Sequence, residues 1–220
     1  MRRRFDQVLV LAACTGIGPL ALNLYLPALP LIQREFGAGV SEVQLTVSLS
    51  LLGYGLGLLL LGPLSDRFGR RPCLLGGMAV FAAGSALAAM SPNLPLMAIA
   101  RFALAAASAL VFICARTIVA DTTPREKLAG EIAQVTVINV VVQSMAPLLG
   151  NVVIAFAGWR ATQGVAAVLG AVLLLIVAMR QPETHASTLR GETPARISLL
   201  RPAFELLRSG SFRWLMLQVG

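Results

Sequence analysis

Charge is scarce in this 220-residue chain: Asp, Glu, Lys and Arg together make up 13% of it, against about 25% in a soluble domain. Acidic residues are the scarcer kind, 10 against 18 Lys and Arg. There is one histidine, His185, in a polar stretch, and three cysteines, Cys14, Cys73 and Cys114, far apart in apolar runs. So thin a supply of ligating and titratable groups gives no disulfide framework, no metal cluster and no Ser-His-Asp or paired-carboxylate site, and neither enzyme activity nor a cofactor is expected. Barrel-type alternation of apolar and polar residues is missing too, which points to helices as the way to satisfy backbone groups in lipid. What the chain has in quantity is apolar bulk: 57% hydrophobic residues and a mean hydropathy of +0.79. That excludes intrinsic disorder, a stapled secreted module and most soluble enzymes. A pI near 10.9 would suggest nucleic acid in a soluble protein; here the apolar bulk makes the bilayer the expected partner.

A hydrocarbon core about 30 Å thick takes roughly 20 apolar residues per helix. Six windows qualify, at about 8–31, 43–64, 73–91, 95–116, 132–154 and 160–179. The first follows Met1-Arg2-Arg3-Arg4 and so resembles a signal peptide, but it exceeds the usual apolar core of about 7–15 residues. An uncleaved first membrane helix is the expectation. The chain then divides into a six-helix transmembrane domain over 1–180, a cytoplasmic inter-domain loop over 181–211 and the start of a seventh helix over 212–220, cut off at Gly220. Alternating sides from a cytoplasmic N-terminus puts fifteen Lys and Arg on the inner side; only Arg34 and Arg160 fall outside, and Arg101 lies within the fourth window. This is the positive-inside pattern. The excess charge reads as topology, and nucleic acid is not an expected partner.

Arg101 stands about six residues into its window, where a charge costs at least roughly 2.5–3.5 kcal/mol and normally faces a bundle interior. It either handles substrate or ions directly or hydrogen-bonds carbonyls of a neighbouring helix. Helical spacing sets Ala105, Ser108 and Phe112 on its stripe; Asn139, Gln143, Ala146 and Gly150 share one on the fifth helix, and Thr46, Ser50, Gly53 and Gly57 on the second. Asn23 is the strongly polar residue of the first, one turn from Pro19 and Pro27. Each residue alone reads equally well as polar glue between helices. Together they predict an aqueous or ligand-filled cavity. The string Gly53-Tyr54-Gly55-Leu56-Gly57 mimics a phosphate loop, but no strand precedes it and no P-loop lysine follows, so close helix packing is the better reading.

The joint after the second helix reads Gly62-Pro63-Leu64-Ser65-Asp66-Arg67-Phe68-Gly69-Arg70-Arg71. It resembles the major facilitator superfamily signature G-x-x-x-D-R-x-G-R-R/K at every position and at the expected place. The resemblance implies an all-α, polytopic fold of which this chain is the six-helix N-terminal half, two inverted three-helix repeats, plus the start of a seventh helix. It implies a conformational latch built from Gly62, Asp66, Arg67, Gly69, Arg70 and Arg71, with Asp121 as a partner for Arg70. Asn23 to Pro30, with the sequence NLYLPALP, looks like the first-helix signature of the Bcr/CflA drug-resistance transporters, which are drug:proton antiporters. Arg101-Phe102 is similar to their fourth-helix motif, whose Arg is implicated in proton coupling. Ala146-Pro147-Leu148-Leu149-Gly150 is similar to the fifth-helix antiporter motif, with a kink expected at Pro147 and Gly150, and Gly158-Trp159-Arg160 to the entry of the sixth.

Three departures stand out. Asn23 replaces the family's usual Asp, and an amide does not cycle a proton at physiological pH. Ala146 and Asn151 replace glycines of the antiporter motif, and Val142 stands at another glycine position. The chain amounts to one six-helix half of a two-half transporter. The resemblance implies multidrug efflux across a bacterial inner membrane, with a small-molecule substrate, protons as coupling ion and a missing C-terminal half as partner. Asn23, Tyr54, Arg101, Ser108, Asn139 and Gln143 are the expected substrate or ion contacts. Two other readings stay open: a facilitator or symporter for a sugar, amino acid or other metabolite, and a half-size protein that does not transport.

Overall fold

The structure is a computed structural model that describes residues 2–180, with side chains from residue 9 onward. The expected loop over 181–211, His185 within it and the seventh-helix start over 212–220 lie outside the described residues. Helix α1 (Arg2–Tyr25) passes through a 3-10 turn (Leu26–Ala28) into α2 (Leu29–Phe36). There follow α3 (Val40–Leu60), the short α4 (Gly62–Phe68), α5 (Arg70–Ala89) and α6 (Leu94–Thr122). The last long helical run bends at Gly158 and is treated as α7 (Arg125–Ala157) and α8 (Trp159–Arg180). Among the described residues six spans are long and apolar enough to cross a membrane, Leu9–Phe36 and then α3, α5, α6, α7 and α8.

The spans run past several of the apolar windows for local reasons. The first reaches Phe36 because Pro27 and Pro30 fall at the starts of the 3-10 turn and of α2, where a missing N–H costs no helical bond. Gly37, with φ 61°, then ends it. Asn93 caps α6, its Oδ1 accepting the Leu96 N–H at 2.9 Å. Part of the joint between the second and third spans is itself helical, as α4. The backbone stays helical through Pro147, and the non-helical residue of that run is Gly158.

Packing follows small residues. At Gly53 an added Cβ would lie 2.6 Å from the Phe102 carbonyl oxygen, and at Gly150 it would lie 2.8 Å from that of Leu24. So α3 presses on α6 and α7 presses on α1, backbone against backbone. Helix α5 packs on α6 and α8. Exchanging the first span with the fourth, the second with the fifth and the third with the sixth turns the α3–α6 contact into the α7–α1 contact and the α5–α8 contact into itself, as two inverted three-helix repeats require. An apolar core of α1, α5 and α6 side chains fills the centre, and Tyr25, Ile32, Met97 and Trp159 close a second cluster nearer the Phe36 end.

Candidate functional site

A cavity of about 220 Å³ opens between the first, second, fourth and fifth spans. Its walls are mostly apolar, from residues such as Leu22, Leu51 and Leu104. The polar residues Asn23, Ser50, Tyr54, Arg101, Ser108 and Gln143 also line it. Thus five of the side chains expected from the sequence, Asn23, Tyr54, Arg101, Ser108 and Gln143, come together. Asn139 goes elsewhere: its Nδ2 donates to the Thr15 hydroxyl at 2.7 Å, against Gly16, within the α1–α7 contact. Its helical stripe is shared with Gln143, but one turn along the helix moves it from the cavity into the neighbouring interface.

Arg101 is 1% exposed, and its surroundings account for much of its burial. Its Cζ lies 3.5 Å from the centroid of the Tyr25 ring, and its Nε donates to Ser50 Oγ at 3.1 Å. A desolvated cation–π contact is worth about 2 kcal/mol and a hydrogen bond from a charged group about 1.5–3 kcal/mol, against an insertion cost of roughly 2.5–3.5 kcal/mol. Nη1 of Arg101 has no partner. The support is itself ordered. Tyr25 Oη and Thr46 Oγ1 share a hydrogen bond of 2.6 Å, Thr46 Oγ1 reaches the Val43 carbonyl at 2.7 Å, and Ser50 Oγ donates to the Thr46 carbonyl at 2.7 Å. Tyr25 lies in the NLYLPALP run, but nothing in the sequence joins it to Arg101. Asn23 turns its Nδ2 back to the Pro19 carbonyl at 2.8 Å. Ser108 Oγ donates to the Ala105 carbonyl at 2.8 Å. Tyr54 packs edge-on to Phe112, centroids 6.4 Å apart, and Arg116 lies over the Phe112 ring.

The latch residues also assemble. Arg70, 9% exposed, pairs through Nη1 with Asp66, donates from Nη1 to Ser65 Oγ at 3.0 Å, and reaches Asp121 Oδ2 from Nε at 3.4 Å. Arg71 donates to the Ala178 carbonyl at 2.8 Å, tying α5 to the end of α8. Arg67 lies over the Phe68 ring. Gly69, at φ 97° and ψ 157°, holds a conformation essentially reserved for glycine and turns α4 into α5. Gly62 opens α4. Pro147 and Gly150 sit within α7, with Gly150 at the contact on α1.

A second cluster repeats this design at the joint between the fifth and sixth spans. Gly158, at φ 76° and ψ 176°, adopts nearly the Gly69 conformation. The next residue, Trp159, donates its indole N–H to Glu35 at the end of α2, as Arg70 donates to Asp121 at the end of α6. The one after, Arg160, donates to the Ser91 carbonyl at 3.3 Å just beyond α5, as Arg71 does to Ala178 at the end of α8. Arg160 also pairs with Glu35. The repeat symmetry therefore extends from packing to side-chain chemistry. Gly158-Trp159-Arg160 was visible in the sequence, but its carboxylate partner is more than a hundred residues away.

Comparison with known proteins fits this architecture. The sequence matches the Major Facilitator Superfamily over residues 11–219. An uncharacterised MFS-type transporter of Bacillus subtilis is 32% identical, over 100% of this chain and 55% of its own length. A chloramphenicol resistance protein of Pseudomonas aeruginosa is 35% identical, over 70% of this chain and 37% of its own. The chain thus spans about half or less of the length of these curated relatives. The solved structure of the proton:xylose symporter XylE, bound to a bromo-deoxyglucose, superimposes with a TM-score of 0.73 at 18% identity, over 86% of this chain and 47% of that one. A family match along nearly the whole chain, on six spans in two inverted repeats with the Gly62–Arg71 joint folded as a clasp, makes this chain a member of the Major Facilitator Superfamily that carries the six-helix N-terminal half of its fold.

Proposed function

We propose that this chain forms the N-terminal half of a transporter that exports small amphiphilic drugs across a bacterial inner membrane by alternating access, driven by the proton gradient. The observation that carries the reading is the cavity. It combines apolar walls with Arg101, Asn23, Tyr54 and Gln143 on the first, second, fourth and fifth spans, which the repeat symmetry exchanges in pairs. The chloramphenicol resistance relative supports the choice of cargo. The distribution of Lys and Arg supports a cytoplasmic N-terminus. In this reading the second half of the transporter covers the cavity, substrate binds between the halves, and the Arg70–Asp66–Asp121 clasp opens and closes as they rock. Among the described residues no carboxylate lines the cavity, so the proton-accepting group belongs to the rest of the transporter. That same observation favours a second reading, a facilitator of a small metabolite without proton coupling.

The experiment is chloramphenicol transport by the full-length protein in everted membrane vesicles, with and without a pH gradient. Uptake that stops when the gradient is collapsed is expected. Uptake unchanged by collapse would eliminate proton coupling and leave the facilitator; no uptake under any gradient would eliminate this drug as cargo. For the clasp, Asp66→Asn is expected to slow turnover more than it weakens binding, and equal loss of both would count against it.

A further inference from the structure

The cavity holds a charge that no described carboxylate neutralises. The Arg101 guanidinium is fully buried, uses Nε on Ser50 and one face on Tyr25, and leaves Nη1 without a partner. No Asp or Glu is among the residues lining the cavity, and the carboxylates with described side chains all lie in joints or within two turns of a span end. Asn23, on the first span, lines the same cavity and offers an uncharged amide. A buried donor without an acceptor is costly, and a buried cation without a counter-charge is costlier. A ligand that brings an anionic oxygen to Nη1 removes both penalties, and such a charge-assisted bond is about twice as strong as a neutral one. The small volume and the apolar walls of Leu22, Leu51 and Leu104 suit one charge attached to a hydrocarbon or aryl body.

We infer that the cavity selects amphiphilic monoanions, seating a substrate carboxylate on Arg101 Nη1 and its apolar body against the leucine wall. This deepens the transporter reading and rests on it. Tyr25 acts as a positioning residue. Stacked on the guanidinium and anchored to Thr46, it fixes the plane in which Nη1 points. Organic cations are disfavoured because the guanidinium would repel them in a low-dielectric site.

The test is isothermal titration of the full-length protein in lipid nanodiscs with three probes of one shape: 4-phenylbutyrate, 4-phenylbutanol and 4-phenylbutylamine. The carboxylate is expected to bind about tenfold more tightly than the alcohol, the scale of one charge-assisted hydrogen bond, with the amine weakest. Equal binding of all three, or preference for the amine, overturns the inference. Arg101→Gln is expected to abolish the preference, and a preference that survives in the folded variant also overturns it. Arg101→Lys, which keeps the charge, is expected to retain the order of the probes. Should Arg101→Gln fail to fold, the three-probe order on the unaltered protein still decides. Chloramphenicol transport measured in parallel separates the two levels. Transport without carboxylate preference sinks this inference alone. Carboxylate preference without chloramphenicol transport sinks the cargo proposed above and leaves the anion site standing.

Discussion

The two clasped joints are the same backbone device built from different chemistry. At one, Gly69 is followed by a buried arginine held between Asp66 and Asp121. At the other, Gly158 is followed by a buried tryptophan, 5% exposed, whose ring meets Phe36 edge-on at 5.9 Å and whose N–H meets Glu35. The first joint is held by a buried guanidinium between carboxylates that are 52% and 34% exposed. The second is held by an indole, and its ion pair, Arg160–Glu35, is 41% exposed on both sides. The difference teaches that the symmetry of the repeats conserves geometry, a glycine turn with a donor on each of the next two residues, while leaving free which force closes it. A charge clasp can be opened by offering its carboxylates another cation or its arginine another anion; an indole packed against Phe36 has no such exchange partner. In the proposed rocking of the halves, the Arg70 clasp is therefore the joint that opens.

The largest effect should come from removing the buried charge. Arg70→Ala removes the hydrogen bonds of a buried guanidinium to Ser65, Asp66 and Asp121 and is expected to cost about 3–4 kcal/mol, read as a lowered midpoint of thermal unfolding in detergent. Trp159→Ala is expected to cost about 3 kcal/mol through lost burial and ring contact, with little change when salt is raised. If Trp159→Ala proved harmless, the indole would not be what holds the second joint. Smaller, about 1–3 kcal/mol each, are Gly69→Ala and Gly158→Ala, because both force an L side chain into a region open only to glycine. Equal losses at the two sites would sharpen the comparison; a loss at one site alone would break the shared geometry. Smallest is Arg160→Ala, below about 1 kcal/mol as befits an exposed pair. Its effect should vanish near 1 M salt, where screening reaches in to roughly 3 Å, whereas the Arg70→Ala loss should persist.

Much of the architecture was legible in the residues. Runs of about twenty apolar residues mark spans wherever they are placed, because lipid rewards apolar surface and penalises bare backbone without regard to neighbours. Arg101 announced itself for the converse reason: a charge in such a run needs an interior. The Gly62–Arg71 joint was legible because its glycines and charges lie within ten residues of one another. The span ends were less so. Helices continue through prolines at their first turns and through charged terminal turns, as at Phe36 and Arg125, which hydropathy does not register.

Other features depend on how the helices are rotated and seated. Asn139 and Gln143 share a stripe, yet one bonds Thr15 and the other faces the cavity, because the approach of α7 to α1 at Gly16 and Gly150 sets where the interface ends. Tyr25 and Arg101 are 76 positions apart in the chain, and no periodicity joins them; their stack is held because α3, pressed on α6 at Gly53, brings Thr46 to the Tyr25 hydroxyl and Ser50 to the Arg101 Nε. Glu35 and Trp159 meet only once the repeats are folded onto their two-fold relation. Composition and local order were enough to say that six helices are long and apolar enough to cross a membrane and that one arginine is buried. Which groups surround that arginine, and the fact that one of its nitrogens is left without an acceptor, came from packing, since a contact between distant residues is a property of backbone distances set by small residues elsewhere.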